Sequence, residues 1–285
     1  MKKIRILALS AGLIMGGIVC IFIFNNRLSN SKIISDKEIA ITVLQYDGII
    51  DLPDITENGM GFNGTGLTYD ANRDSFWIGN YGKLVKSQKG KTPSIVQVST
   101  DFKTVRSQIM IDDMKADIQG ISYDENTDTL WYSNGECVIN CTTDGSVIKQ
   151  IDFAEYKKYK PNGVLFDNRT NSLWVLCFYN YLLNYDADGN LINSYRSDYI
   201  GQDHLCFNEN RQLCFSVGCD YKGDENYVVV YSMETMTVER AYQVIGSHSI
   251  EGISIIGSNL YVINNGYYHN AHIKKNYVAR YNIES

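Results

Sequence analysis

The sequence predicts an all-β fold: a β-propeller of four-stranded antiparallel blades, preceded by one N-terminal transmembrane helix. Five blades are expected, with six as the alternative. Three observations predict this. The 285 residues include only 3 Pro but 23 Gly and 21 Tyr, a balance that favours sheet over loop-rich or collagen-like structure. A hairpin-like unit recurs five times after residue 60. The units start 54, 43, 41 and 48 residues apart, the length of a four-stranded propeller blade.

Residues 1–35 form a separate segment. Lys2, Lys3 and Arg5 precede 6–24, a run of 19 residues without a charge, and Asn25, Asn26 and Arg27 end it. A bilayer-spanning helix needs about 20 such residues and tolerates Gly12, Gly16 and Gly17. A cleaved signal peptide has a shorter apolar core and then small residues, whereas this run continues through Cys20, Ile21, Phe22, Ile23 and Phe24. Cys20 invites a lipoprotein reading, but Val19 stands where a lipobox has a small residue. The expectation is a retained signal-anchor. Three basic residues lie before the span, against Arg27 and Lys32 behind it, which places 36–285 outside the cytoplasm of a single-pass protein of the cell membrane.

Residues 36–285 carry 21 Lys and Arg against 32 Asp and Glu, a net charge of −11. That charge argues against nucleic acid as a partner and suits cations, sugars or peptides. The first hairpin unit is Gly66-Leu67-Thr68-Tyr69-Asp70, a turn through Asn72 and Asp74, then Ser75-Phe76-Trp77-Ile78-Gly79-Asn80. The others start at Gly120, Gly163, His204 and Gly252. A large aromatic follows the first four starts by 11 residues, at Trp77, Trp131, Trp174 and Phe215. In the fifth, with its shorter turn at Gly257-Ser258-Asn259, Tyr261 follows by 9. Each unit reads as an antiparallel hairpin closed by a polar turn. The three Trp are expected to pack between blades.

Flanking strands complete each blade: 94–99 with 104–111, 182–185 with 191–195, and 227–231 with 237–244. The chain end supplies 277–281, and 39–46 supplies one strand before the first unit. A sixth blade would have to hide around 49–62. No stretch of helical period follows residue 36.

The units resemble the repeats of the SMP-30/gluconolactonase, SdiA-regulated and NHL/YncE-like propeller groups, over residue 40 to the end. In propellers the residues just before each inner strand rim one mouth of the central channel. Here they are Thr65, Gln119, Asn162, Asp203 and Glu251, all oxygen-bearing. Together they would make a hard-cation site, with calcium the expected ion and Asn162, Asp203 and Glu251 as its ligands. The step Pro161-Asn162-Gly163 resembles the SMP-30 motif whose Asn binds metal, and Asp203 and Glu251 resemble that family's acidic residues. The match departs where the usual Asp-Gly pair is Asp203-His204, and the family's catalytic residues have no assignable counterpart. The other reading is a water-filled polar mouth whose residues cap turns.

His204 and His248 are expected near the same mouth, as a general base or as turn histidines. His269 and His272 suit a loop. Tyr81, Tyr179, Tyr181, Tyr267 and Tyr268 offer a surface for sugars or peptides. Cys137, Cys141, Cys177, Cys206, Cys214 and Cys219 read either as disulfide partners, with Cys206 facing Cys214 across a hairpin, or as small apolar residues in strands. No nucleophile elbow, phosphate loop or zinc-protease helix occurs.

Three functions fit. The leading one is a membrane-tethered recognition propeller that binds an envelope protein, peptide or glycan at its channel mouth. A metal-dependent, lactonase-like hydrolase is the alternative. The third is a glutaminyl-cyclase-like enzyme, which the layout of 94–120 resembles, although Gln119 stands where that pattern has an acidic residue.

Overall fold

The computed structural model describes residues 30–52, 61–113, 115–153, 160–178, 181–197, 202–218 and 220–284. The expected membrane span 6–24 lies outside them, as do Cys20, Tyr179 and Cys219. Among the described residues no helix is long and apolar enough to cross a membrane.

Five antiparallel sheets form the ring. Blade 1 is β3 (Gly64–Asp70), β4 (Ser75–Asn80), β5 (Ser94–Ser99) and β6 (Val105–Met110), paired in that order. Blade 2 is β7 (Ile121–Asp124), β8 (Thr129–Ser133), β9 (Cys137–Thr142) and β10 (Val147–Asp152). Blade 3 is β11 (Pro161–Asp167), β12 (Ser172–Cys177), β13 (Tyr181–Asp186) and β14 (Leu191–Arg196). Blade 4 is β15 (Gln202–Phe207), β16 (Leu213–Val217), β17 (Tyr227–Tyr231) and β18 (Val238–Val244), and blade 5 begins with β19 (Ile250–Ile256), β20 (Asn259–Asn265) and β21 (Asn276–Asn282). The five inner strands β3, β7, β11, β15 and β19 lie side by side around the axis.

The sequence reading of one strand over 39–46 is corrected to two strands in two blades. β1 (Ala40–Leu44) adds to β18 in parallel, giving blade 4 a fifth strand. After Gln45 the chain continues as β2 (Tyr46–Asp51), which pairs antiparallel with β21 and completes blade 5. The segment considered for a sixth blade thus begins with the closing strand of the fifth. Ahead of both strands, α1 (Asn30–Asp36) packs Ile33 and Ile34 onto the seam of blades 3 and 4.

Burial explains the strand sequences. Every residue of β4, β8, β12, β16 and β17 is buried, so these middle strands read as runs apolar on both faces. The outer strands β10 and β14 face solvent over most of their length. Five apolar clusters fill the five seams between blades, holding Trp77 between blades 1 and 2, Trp131 between 2 and 3, and Trp174 between 3 and 4.

The aromatic ladder breaks in blade 4. Trp77, Trp131, Trp174 and Tyr261 stand opposite Thr68, Ser122, Leu165 and Ser254, each two residues after the start of its unit. The matching residue of blade 4, Cys206, stands opposite Cys214 and not Phe215. The turn here closes from Asn208 to Gln212, one residue shorter than the turn from Asp70 to Ser75. A shift of one residue sends a side chain to the other face of the strand. Phe215 therefore packs toward blade 3, and Cys214 takes the ladder position toward blade 5.

The turn residues recur for a backbone reason. The left-handed residue of each turn is Asp74, Asp128, Asn171, Arg211 or Gly257, with φ between 45° and 60°. Asp, Asn and Gly adopt that conformation at least cost. Cys137, Cys141, Cys177, Cys206 and Cys214 are all buried and unbridged, and Cys206 faces Cys214 as the sequence suggests.

Candidate functional site

Four of the five inner strands carry an irregularity where they begin. The register shifts between Gly64 and Leu67, Pro161 and Val164, Gln202 and Leu205, and Ile250 and Ile253. Such a bulge re-aims the residues inside it. Those residues are Thr65 with Gly66, Asn162 with Gly163, Asp203 with His204, and Glu251 with Gly252. In blade 2 the equivalent pair, Gln119 and Gly120, lies just ahead of β7.

The second member of each pair is set by close approach between inner strands. A Cβ on Gly66 would stand 2.4 Å from the Gln119 carbonyl oxygen, and one on Gly120 2.4 Å from the Val164 nitrogen. Blade 4 alone has a side chain there, and His204 sends it across the channel. Its Nε2 lies 3.4 Å from the backbone nitrogen and 3.3 Å from the carbonyl oxygen of Ile121, in blade 2. The ring is 1% exposed, and burial lowers its pKa to about 4. His204 is thus buried against the blade 2 backbone.

At the starts of the inner strands lies a cavity of about 300 Å³, and His204 is not part of its lining. Thr65, Gln119, Asp203 and Glu251 line it, as the sequence predicts. Asn162 is buried beside them and donates from Nδ2 to Asp203 Oδ1 at 3.0 Å. His248 does not reach the cavity: its Nδ1 pairs with the Gly223 carbonyl at 2.6 Å, and its ring meets His272 edge-on. Tyr81 and Tyr268 line the cavity and meet edge-to-face at 5.5 Å, whereas Tyr267 lies exposed and neither it nor Tyr181 takes part in the lining.

Sequence reasoning missed Asp117, Asn63, Asn265, Tyr221, Phe178 and the role of His269, all of which line the cavity. The recurring Asn after the second strand of the unit, at Asn80, Asn134 and Asn264-Asn265, carried a usable signal, because that strand returns the chain to the mouth. Asp117 accepts a hydrogen bond from Gln119 Nε2 at 2.6 Å, so blade 2 brings its carboxylate from two residues upstream. His269 was expected in a loop; it ends a single helical turn, α2 (Gly266–His269). The Tyr221 loop of blade 4 clamps that turn: His272 N–H bonds the Tyr221 carbonyl at 2.7 Å, and the Tyr221 ring stacks on His269 at 4.4 Å.

The electrostatics follow from burial. His269 Nε2 and Glu251 Oε1 share a hydrogen bond of 2.9 Å. Burial raises the Glu251 carboxyl to about 8, against the Asn265 hydrogen bond and with the charge of Asp117 adding to it. Burial, helped by Lys86, lowers His269 to about 4. Near neutral pH the shared proton therefore rests on the carboxyl, and Nε2 accepts it. Asp203 is raised well above the usual carboxylate range by burial first and by Glu251 second. Among the described residues no three His, Cys, Asp or Glu side chains gather closely enough to hold a metal ion. Asp203 accepts from the Asn162 amide, and Glu251 donates to the His269 ring.

No protein-family model matches the chain, and no curated protein matches it. Solved structures do. Myxococcus xanthus glutaminyl cyclase superposes with a TM-score of 0.59 at 11% identity, over 85% of this chain and 97% of that one. A chain of the nidogen/laminin complex gives 0.51 at 14% identity, over 76% and 84%. Kuenenia stuttgartiensis hydrazine synthase gives 0.48 at 13% identity, over 76% of this chain and 59% of the other. The first two likenesses are of fold, and they support the propeller.

Proposed function

We propose that the chain is a membrane-anchored propeller, held outside the cytoplasm, whose mouth takes in a small polar ligand or the end of a peptide or glycan. One observation carries this reading. Bulged inner strands of blades 1, 4 and 5 deliver Thr65, Asp203 and Glu251 onto a single cavity, which Gln119 and Asp117 of blade 2 also line. A volume of about 300 Å³ is at the small end of ligand sites. The tyrosines at the rim give the flat, amphipathic surface on which such ligands rest. The anchor rests on the uncharged run 6–24.

The test is a thermal-shift screen of the purified full chain against monosaccharides, amino acids, amines and short peptides. A ligand should raise the melting temperature of the wild type and lose that effect in Tyr81→Ala, a rim change that leaves the seams intact. Absence of any stabilising compound would overturn the small-ligand reading. Carbonate extraction of membranes tests the anchor, and recovery of the native protein as a trimmed soluble form would refute it. The hydrolase reading needs calcium on Asn162, Asp203 and Glu251, with the Asn162 amide turned to present its oxygen. The glutaminyl-cyclase-like reading gains a carboxylate in Asp117, and assay on a peptide with N-terminal glutamine tests it.

A further inference from the structure

We infer that the mouth cavity is built to receive a primary ammonium group on a small organic ligand, an inference that rests on the small-ligand reading above. The lining holds three carboxyl groups, Asp117, Asp203 and Glu251, and no Lys or Arg. The acids do not stand alone. Asn63 and Asn265 also line the cavity, 1% and 2% exposed, and the side-chain oxygen of each has no hydrogen-bond partner. Buried acceptors without a donor are costly, so a ligand that brings donors is favoured. An ammonium brings three and accepts none.

The walls match the same chemistry. The faces of tyrosine rings attract cations. Lys86 already places its ammonium 5.4 Å from the Tyr268 ring centroid, and Lys91 sits 4.0 Å from that of Tyr81. Neither lysine lines the cavity, so no side-chain cation stands among its acids. A neutral sugar would leave those acids without a cation, and an anion would meet three acidic side chains.

Entry of an ammonium has a consequence for protons. The positive charge favours the ionised carboxyl, so Glu251 gives up its proton to solvent. His269 then takes the tautomer with hydrogen on Nε2, donating to Glu251 Oε1. That leaves Nδ1, which has no partner, as one more acceptor. Binding near neutral pH therefore releases about one proton, because the free carboxyl is raised to about 8.

The experiment uses the full chain with butylamine, 1,4-diaminobutane, L-alaninamide, trialanine, N-acetyl-trialanine, glucose and N-acetylglucosamine. Calorimetry near pH 7 in phosphate and in HEPES counts the protons. The expected result is that free amines raise the melting temperature and release about one proton each. Glu251→Gln should bind about tenfold more weakly and release none, since one charge-assisted hydrogen bond is lost. Its melting temperature without ligand checks that it folds, and the proton count on the wild type needs no variant. Tight binding of trialanine that N-acetylation abolishes would identify a peptide amino terminus as the source. Binding of the small amines alone would identify a free amine. Stabilisation by the sugars and not by the amines would overturn the ammonium inference and leave the small-ligand reading standing. Amine binding without proton release would also overturn it, and silence from every probe would remove both.

Discussion

His204, from blade 4, ends 3.3 Å from the carbonyl oxygen of Ile121, in blade 2, across the channel. Blade 3 lies between them in the ring, so the contact is made through the axis. The four other blades have glycine at the position of His204. One side chain therefore ties blade 4 to blade 2 through the axis.

Removing that side chain should destabilise the protein. His204→Ala removes the buried partner of the Ile121 backbone, at a cost of about 1–3 kcal/mol. A shift in urea midpoint measures it, and an unchanged midpoint would mean the contact contributes nothing.

Acid should unfold the protein through the same residue. His204 and His269 are lowered to about 4 from the ordinary 6.5, so the unfolded chain binds protons that the folded chain refuses. Stability is then full above about 6.5 and falls as pH drops toward about 4. His204→Gln should flatten this fall. Equal acid slopes in variant and wild type would contradict the assignment.

Glu251 should act in the opposite direction. Its carboxyl is raised from 4.5 to about 8, so the folded state holds a proton that the unfolded chain has released. Stability should fall as pH rises from about 4.5 to about 8, and Glu251→Gln should remove much of that slope. Denaturation at about pH 5 and about pH 8.5 makes the comparison; parallel curves would show that Glu251 is not held protonated.

Calcium is expected to leave the melting temperature unchanged, because Asp203 and Glu251 already face the Asn162 and His269 nitrogens. A rise that Asp203→Asn with Glu251→Gln abolishes would establish the cation site instead.

Trp131→Ala should cost about 3–5 kcal/mol, since the ring is 4% exposed and stacks on Phe166 at 5.3 Å between blades. Cys214→Ala, at the matching ladder position of blade 4, removes only a sulfur and should cost much less. Similar losses for the two would refute the ladder as the source of seam stability.

The blades were legible because each unit repeats a local pattern. Turn residues such as Asp74 and Asp128 need a left-handed backbone, and strands buried on both faces read as apolar runs. The mouth residues Thr65, Gln119, Asp203 and Glu251 were legible by the same repetition. His269 and Tyr221 were not, because they reach the cavity from irregular segments between strands whose path no repeat specifies. Phe215 misled for a related reason: one residue fewer in a turn preserved the spacing from His204 and reversed the face. The division of 39–51 at Gln45 between two blades depends on partners some 200 residues away, which no local pattern reports.

That division fixes an order of events during synthesis. β1 and β2 leave the ribosome ahead of every other strand described, yet their partners are β18 and β21. Until its own partner is made, each of the two carries unpaired backbone edges, exposed to any other extended chain nearby. Pairings this distant in sequence form slowly. The fifth blade cannot close before β21 has been made, so a polypeptide that loses β21 also strands β2.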